Sequence, residues 1–207
     1  KWHFHLAALE KILNPPRAMH RHLPLCLSVL LLIAFRVIGA AYPMALPNFQ
    51  PLAALFFCGA LIAPAWRGFT LPLGIWILTF PLGSGHPDGP SLFLTTLAAL
   101  TLTFFLGKWL SKKGWACMLL GSVAATLVFH LITNSAAWLA DPRYAKSLVG
   151  LWQSLWTGAP GDVLPSWVFL RNLGVANLIF TGAHLLAMLR APQVYPSLAA
   201  PQAAKFH

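Results

Sequence analysis

Residues 31–40 read LLIAFRVIGA, an apolar run that would be an unremarked piece of membrane helix but for Arg36. Residues 167–176, WVFLRNLGVA, repeat the pattern with Arg171 near the other end of the chain. An arginine at the middle of a span costs about 2.5–3.5 kcal/mol on insertion scales, so two of them require compensation. The reading that reconciles both stretches is a helical bundle whose outer half encloses a polar cavity faced by the two guanidinium groups.

Composition supports the membrane part of that reading. Of 207 residues, 58% are hydrophobic and 9% charged, against roughly 25% charged in soluble domains. Helices satisfy their own backbone hydrogen bonds in lipid, and the long apolar runs lack the alternation of barrel strands. The expected fold is all-α, a polytopic membrane helical bundle of about six transmembrane helices with interfacial amphipathic helices. The candidate spans are Leu23–Tyr42, Pro51–Trp66, Phe69–Leu82, Ser91–Leu110, Trp115–Ala140 and Val163–Leu189. The second and third fall short of the ~20 residues a bilayer requires. Residues 51–82 are therefore either two thin spans or a re-entrant hairpin.

Charge sets the orientation. With the N-terminus in the cytoplasm, Lys1, Lys11, Arg17, Arg21, Arg67, Lys108, Lys112, Lys113, Arg190 and Lys205 all lie inside, ten of the 14 basic residues. Only Arg143 and Lys146 then fall in outer loops, which the positive-inside rule reads as N-in, C-in. The net charge of +10 is thus a cytoplasmic fringe beside anionic lipid and needs no nucleic acid. Expected localisation is the bacterial inner (cytoplasmic) membrane.

Three segments follow: a cytoplasmic or interfacial stretch at 1–22, the helical domain at 23–190, and a Pro- and Ala-rich cytoplasmic tail at 191–207. In the first, Trp2, Leu6, Leu9 and Leu13 share one helical face, as in a helix lying on the leaflet. On the outer side, residues 141–162 place Leu148, Leu151, Trp152, Leu155 and Trp156 on a stripe. That stripe predicts a short amphipathic helix, serving either as an interfacial anchor or as a lid.

By rise per residue, Arg36 lies roughly 9 Å and Arg171 roughly 12 Å below the outer ends of their helices. No acid occurs within a span. Their partners are therefore the outer-loop acids Asp88, Asp141 or Asp162, helix carbonyls, water, or an external anion, which guanidinium binds in a bidentate manner. Asn48, Gln50, Asn134, Asn172 and Asn177 gather at comparable depth and can orient a ligand or glue helices together. With Arg36 and Arg171, the expected ligand-binding residues are Asn48, Gln50, Asn134 and Asn172.

The chain carries no GxSxG, HExxH, P-loop or GxGxxG and no intramembrane carboxylate pair, so it reads as a non-enzyme. Cys26, Cys58 and Cys117 are scattered through apolar runs, as small packing residues rather than a disulfide or metal set. His130 and His184 lie within helices without a paired histidine. No cofactor or metal is expected, with haem or pigment contact at these two histidines as the alternative.

Two stretches, RVIGAAYPMALPNFQPLAALFFCGALIAP and FHLITNSAAWLADPRYAKSLVGLWQSLWTGAP followed by FLRN, resemble an uncharacterised family of small bacterial multi-helix membrane proteins. That family is distantly similar to the S component, the substrate-binding subunit, of energy-coupling factor (ECF) vitamin transporters. The resemblance implies a six-helix fold with an outward-facing cavity, and makes Arg36, Asn48, Asn134, Trp138, Lys146, Arg171 and Asn172 motif positions. The expected function is a substrate-binding membrane subunit for uptake of a small anionic or vitamin-like solute, dependent on other membrane subunits. The alternative is a non-catalytic accessory subunit of a larger respiratory or photosynthetic complex, in which the arginines bind lipid or a neighbouring chain.

Overall fold

A computed structural model of the chain describes residues 17–62, 66–83 and 90–190. Its seven described helices are α1 (Arg17–Ala41), α2 (Leu52–Ile62), α3 (Arg67–Gly83), α4 (Pro90–Leu110), α5 (Trp115–Ala140), α6 (Leu148–Trp156) and α7 (Ser166–Arg190), with no strand among the described residues. Four contain stretches long and apolar enough to cross a membrane: Leu23–Ala41, Leu92–Leu110, Trp115–Ala140 and Ser166–Leu189. Their outward faces carry Leu30, Leu120, Leu131 and Leu186, each more than half exposed, a surface suited to lipid. The expected interfacial helix at the start of the chain, Asp88 and the tail lie outside the described residues.

The second candidate span, Pro51–Trp66, contains a short helix. α2 has 11 residues, roughly 16 Å of helix, and nine of those residues are buried. It is apolar all round because it is surrounded by protein on every side. Leu32, Ala54, Leu55, Ala176 and Phe180 form one cluster around it; Leu52, Phe56, Trp76, Leu100 and Phe104 form a second. Gly59 lets α3 approach, since a Cβ there would collide with the Gly68 carbonyl oxygen. α3 then returns alongside α2, and Trp76 stacks on Phe93 of α4 with ring centroids 4.7 Å apart.

Side-chain pairs fix the register of the long helices. Ser28 meets His184, and Leu32 shares a cluster with Phe180, so α1 and α7 are antiparallel. Asn177 bonds Thr126, and the space beside Gly182 faces Leu119 at 3.8 Å, so α5 and α7 are antiparallel too. α2 runs parallel to α7, with the Ala54 N–H on Asn177 and Cys58 beside Thr181. The C-termini of α1 and α5 and the N-termini of α2 and α7 therefore gather toward one end, with the segments 42–50 and 141–165.

The amphipathic helix expected in 141–162 is α6. Ser147 caps it by accepting the Gly150 N–H at 3.2 Å, which satisfies one of the orphan donors of its first turn. Trp152 and Trp156 stack at 6.1 Å on its exposed side, beside Leu148 and Val149. His130 holds the other side: its Nε2 lies 2.9 Å from the Leu155 carbonyl oxygen. A carbonyl only accepts, so Nε2 carries the proton, leaving Nδ1 to accept from the Asn134 amide at 3.0 Å.

Candidate functional site

Arg36 faces inward. It belongs to the stripe Ser28, Leu32, Arg36 and Ala40, spaced by four and buried throughout, with Arg36 only 4% exposed. Two neighbours on α1 bracket its level against α2. Leu32, one turn below, clusters with Ala54 and Leu55. Gly39, one turn above, lies against Gln50, whose Cβ stands 3.0 Å from where a glycine Cβ would be. The backbone of Arg36 is therefore level with Pro51–Ala53, the first turn of α2.

A helix N-terminus presents N–H groups without intrahelical partners and about half a positive charge. Asn177 Oδ1 accepts one of them, Ala54 N–H, at 2.9 Å. Those of Leu52 and Ala53 have no partner within the helix. A helix N-terminus and the backbone that bears a buried guanidinium thus share one level of the bundle, and each of the two groups favours an anion. Arg36 takes part in no ion pair among the described residues, and its Nε is buried without a hydrogen-bond partner.

The segment leading into α2 is built by its polar residues. Asn48 adopts φ 57°, a left-handed conformation that asparagine tolerates better than most side chains. Its Nδ2 donates to the Phe169 carbonyl at 3.4 Å, its Oδ1 accepts from Gln50 Nε2 at 3.2 Å, and Asn172 Nδ2 donates to the Pro47 carbonyl at 2.9 Å. Because the Phe169 oxygen can only accept, both amides are fixed in orientation. Gln50 Oε1 is left buried with no donor.

Arg171 has a different setting. The α1–α7 register carries Arg36 to the level of Ala176, five residues further along the helix. Arg171 is thus roughly 7–8 Å nearer the helix end, not at equal depth. It is exposed, donates from Nε and Nη2 to Asn172 Oδ1 at 3.1 Å, and stacks over Trp167 at 5.2 Å. Through Asn172 it braces the Pro47 carbonyl and so supports the 42–50 segment. Asn134 joins His130 and α6 instead. Of the residues expected to bind ligand, Asn48, Gln50 and Asn172 are tied by hydrogen bonds in and around the 42–50 segment, with Arg171 attached to Asn172; Arg36 lies one turn of α1 from Gly39, on which Gln50 packs, and Asn134 stands apart.

Among the described residues, Asp141 and Asp162 serve neither arginine. Arg143 takes both acids: Nη2 lies 2.7 Å from Asp141 Oδ2 and Nη1 2.7 Å from Asp162 Oδ1. Hydrogen bonds from Arg143 hold the Asp141 carboxyl below the usual carboxylate range, and those same bonds raise the guanidinium pKa. Lys146 is spent on the carbonyls of Trp138 and Asp141. The Asp-Pro-Arg at 141–143 signals this local pairing in sequence, since an aspartate readily accepts from the backbone N–H two residues on. Arg143 Nε and backbone N both donate to Asp141 Oδ1.

Sequence reasoning missed the first turn of α2 as a component of the site. The available signal is Gln-Pro at 50–51 directly before a short, wholly apolar helix, because proline is favoured at helix starts.

A polar track continues down α7. Asn177 and Thr181 are buried on one stripe; Asn177 Nδ2 donates to Thr126 Oγ1 at 2.7 Å. Below them, the Ser28 hydroxyl donates to the Leu25 carbonyl at 2.8 Å and so accepts from His184 Nδ1 at 3.0 Å. His184 Nε2 is consequently an unprotonated nitrogen, buried without a partner. No cluster of three His, Cys, Asp or Glu residues able to hold a metal occurs among the described residues.

No curated protein and no solved structure matches the chain. Residues 17–198 match a family of unknown function (DUF6580), and the chain belongs to that family.

Proposed function

We propose that this chain is a membrane-embedded, non-catalytic subunit that binds a small anionic or vitamin-like solute at the first turn of α2, with Arg36 as its principal cation. The reading is carried by one observation: a guanidinium that is 4% exposed, has no counter-ion among the described residues and leaves its Nε unpartnered. An unpaired buried charge is costly. A bound anion supplies the missing half of the pair, and the helix N-terminus beside it adds to the attraction. Asn48 and Asn172 position the segment that delivers Gln50, and Arg171 stands at the rim.

The positive-inside distribution supports an N-in, C-in chain with this end of the bundle toward the outside of the cytoplasmic membrane. The resemblance to S components supports a role in uptake, in which separate ATPase and membrane subunits drive release. Purification in mild detergent tests the role. Co-purification with ATPase components is the expected result, whereas arrival within a redox or pigment complex would favour the accessory-subunit role. Binding itself is tested by thermal unfolding with millimolar small anions: they should stabilise the native chain and leave Arg36→Gln unaffected. Equal stabilisation of both would remove the reading.

A further inference from the structure

Independently of anion binding, we propose that the exposed face of α6 is a lipid-contact surface. It is seated among the headgroups and upper acyl chains of the leaflet at its end of the bundle, with the Trp156 end the deeper. The face is a continuous stripe: Leu148, Trp152 and Trp156 follow one another by four residues, Val149 lies beside them, and all four are exposed. Gly150 and Ser154, also four apart, are buried on the opposite side. No charged residue occurs between Leu148 and Trp156, so the stripe offers nothing to a charged partner. Stacked indoles flanked by aliphatic side chains suit the boundary between headgroups and hydrocarbon.

The path of the segment sets the order of depth. Ala145 O accepts from the Trp138 indole N–H at 2.8 Å, and Leu155 O accepts from His130 Nε2 at 2.9 Å. The later residue of the segment thus meets a residue about two turns earlier on α5. α6 therefore runs antiparallel to α5, from its C-terminal end toward its middle. At the same two levels α5 exposes Leu139 and Leu131, so the stripe on α6 continues a face already suited to lipid.

Backbone that enters a bilayer must have its polar groups satisfied within the protein. The residues directly after α6 meet that demand. Thr157 and Gly158 both donate their N–H to the Gln153 carbonyl, at 3.0 and 2.9 Å, and the Ala159 N–H donates to Asp162 Oδ2 at 2.9 Å. Gly158 and Ala159 are buried. Gly158 adopts φ 83°, the left-handed conformation that ends a helix and turns the chain back. By pairing with Asp141 and Asp162, Arg143 ties the entry of this excursion to its exit.

The experiment places single nitroxide labels on the full chain in phosphatidylcholine nanodiscs. The background carries Cys26→Ser and Cys117→Ser at the two exposed cysteines and keeps the buried Cys58. Labels at Val149→Cys, Trp152→Cys and Trp156→Cys are compared with one at Leu131→Cys on α5. Collisions with oxygen, which concentrates in hydrocarbon, should exceed those with a water-soluble nickel chelate at Trp152→Cys and Trp156→Cys, as at Leu131→Cys. The ratio should rise from Val149→Cys to Trp156→Cys.

An excess of nickel collisions at all three α6 positions would overturn the proposal and make the face a water-exposed lid. Protection from both reagents, as beneath a second copy of the chain, would overturn it equally. A ratio that fails to rise would overturn the order of depth. The native tryptophans give a second reading that needs no label. In bilayers of acyl-brominated phosphatidylcholine, the quenched share of fluorescence should fall in the double variant Trp152→Phe, Trp156→Phe. An unchanged or larger share would show that these indoles do not meet acyl chains, and would sink the proposal.

Discussion

Arg143 and Arg36 place the same side chain in opposite circumstances within one molecule. Arg143 is half exposed and holds two carboxylates at 2.7 Å. Arg36 is buried, its backbone level with the first turn of α2, with no acid to hold among the described residues. The exposed cluster is complete as it stands, so it explains itself as a clasp between the two ends of the 141–162 segment. The buried arginine is incomplete, and in a packed interior an incomplete polar group points to a missing partner. On the proposed reading, pairing more than charge separates a structural arginine from a binding one.

Each of the following tests strains that contrast, and the largest effect falls in the buried half. Asn177→Leu strips a partner from both Ala54 N–H and Thr126 Oγ1, and should cost about 2–4 kcal/mol. Reversible unfolding in detergent measures it. A negligible change would mean that the α2 N-terminus is not anchored as described.

Arg36→Leu should act in the other direction, stabilising the ligand-free protein by about 2–3 kcal/mol while abolishing its response to anions. Thermal unfolding with and without millimolar small anions reads both. A destabilised Leu variant would show Arg36 to be a structural residue, like Arg143.

Arg171→Gln should cost less than about 1 kcal/mol, because an exposed stack on Trp167 and bonds to one amide contribute modestly. Anion binding should weaken only through a looser 42–50 segment. A loss of binding as complete as that of Arg36→Gln would return Arg171 to the centre of the site.

Smallest in effect is the pH response of the Arg143 clasp. Asp141 is held below its ordinary value of 3.8 by Arg143. Its contribution is thus fully present above that value and is lost as pH falls through the lower folded value. Hydrogen exchange across 141–165 should be unchanged from pH 8 to 5 and quicken below about pH 4 relative to intrinsic rates. Arg143→Gln should abolish that acid-side difference, and exchange that quickened already near neutral pH would implicate another group.

Much of the architecture was legible before any coordinates. The fifth span was expected at Trp115–Ala140 and α5 occupies those residues. The stripe Leu148–Trp156 announced α6, since leucines and tryptophans at helical spacing have few other uses at a membrane surface. The α2 region was legible only in part. A helix apolar on every face carries no mark of whether lipid or protein surrounds it, so Leu52–Ile62 could not declare itself a helix buried in protein. The arginines posed the converse difficulty. Their positions in sequence gave similar depths, yet rotation about each helix axis, which sends Arg36 inward and leaves Arg171 exposed, depends on neighbours that a single run of residues does not name.

Alone, then, the sequence determined that this chain forms helices apolar enough for a membrane, roughly where they lie, and that two cations interrupt them; local periodicity and hydropathy suffice for that. Tertiary structure alone decided which cation is buried, that Asp141 and Asp162 belong to Arg143, and that Gln50 packs on Gly39, one turn from Arg36. Those facts follow from register between helices distant in the chain. Packing fixes that register through contacts such as Gly39 on Gln50 and Asn177 on Ala54.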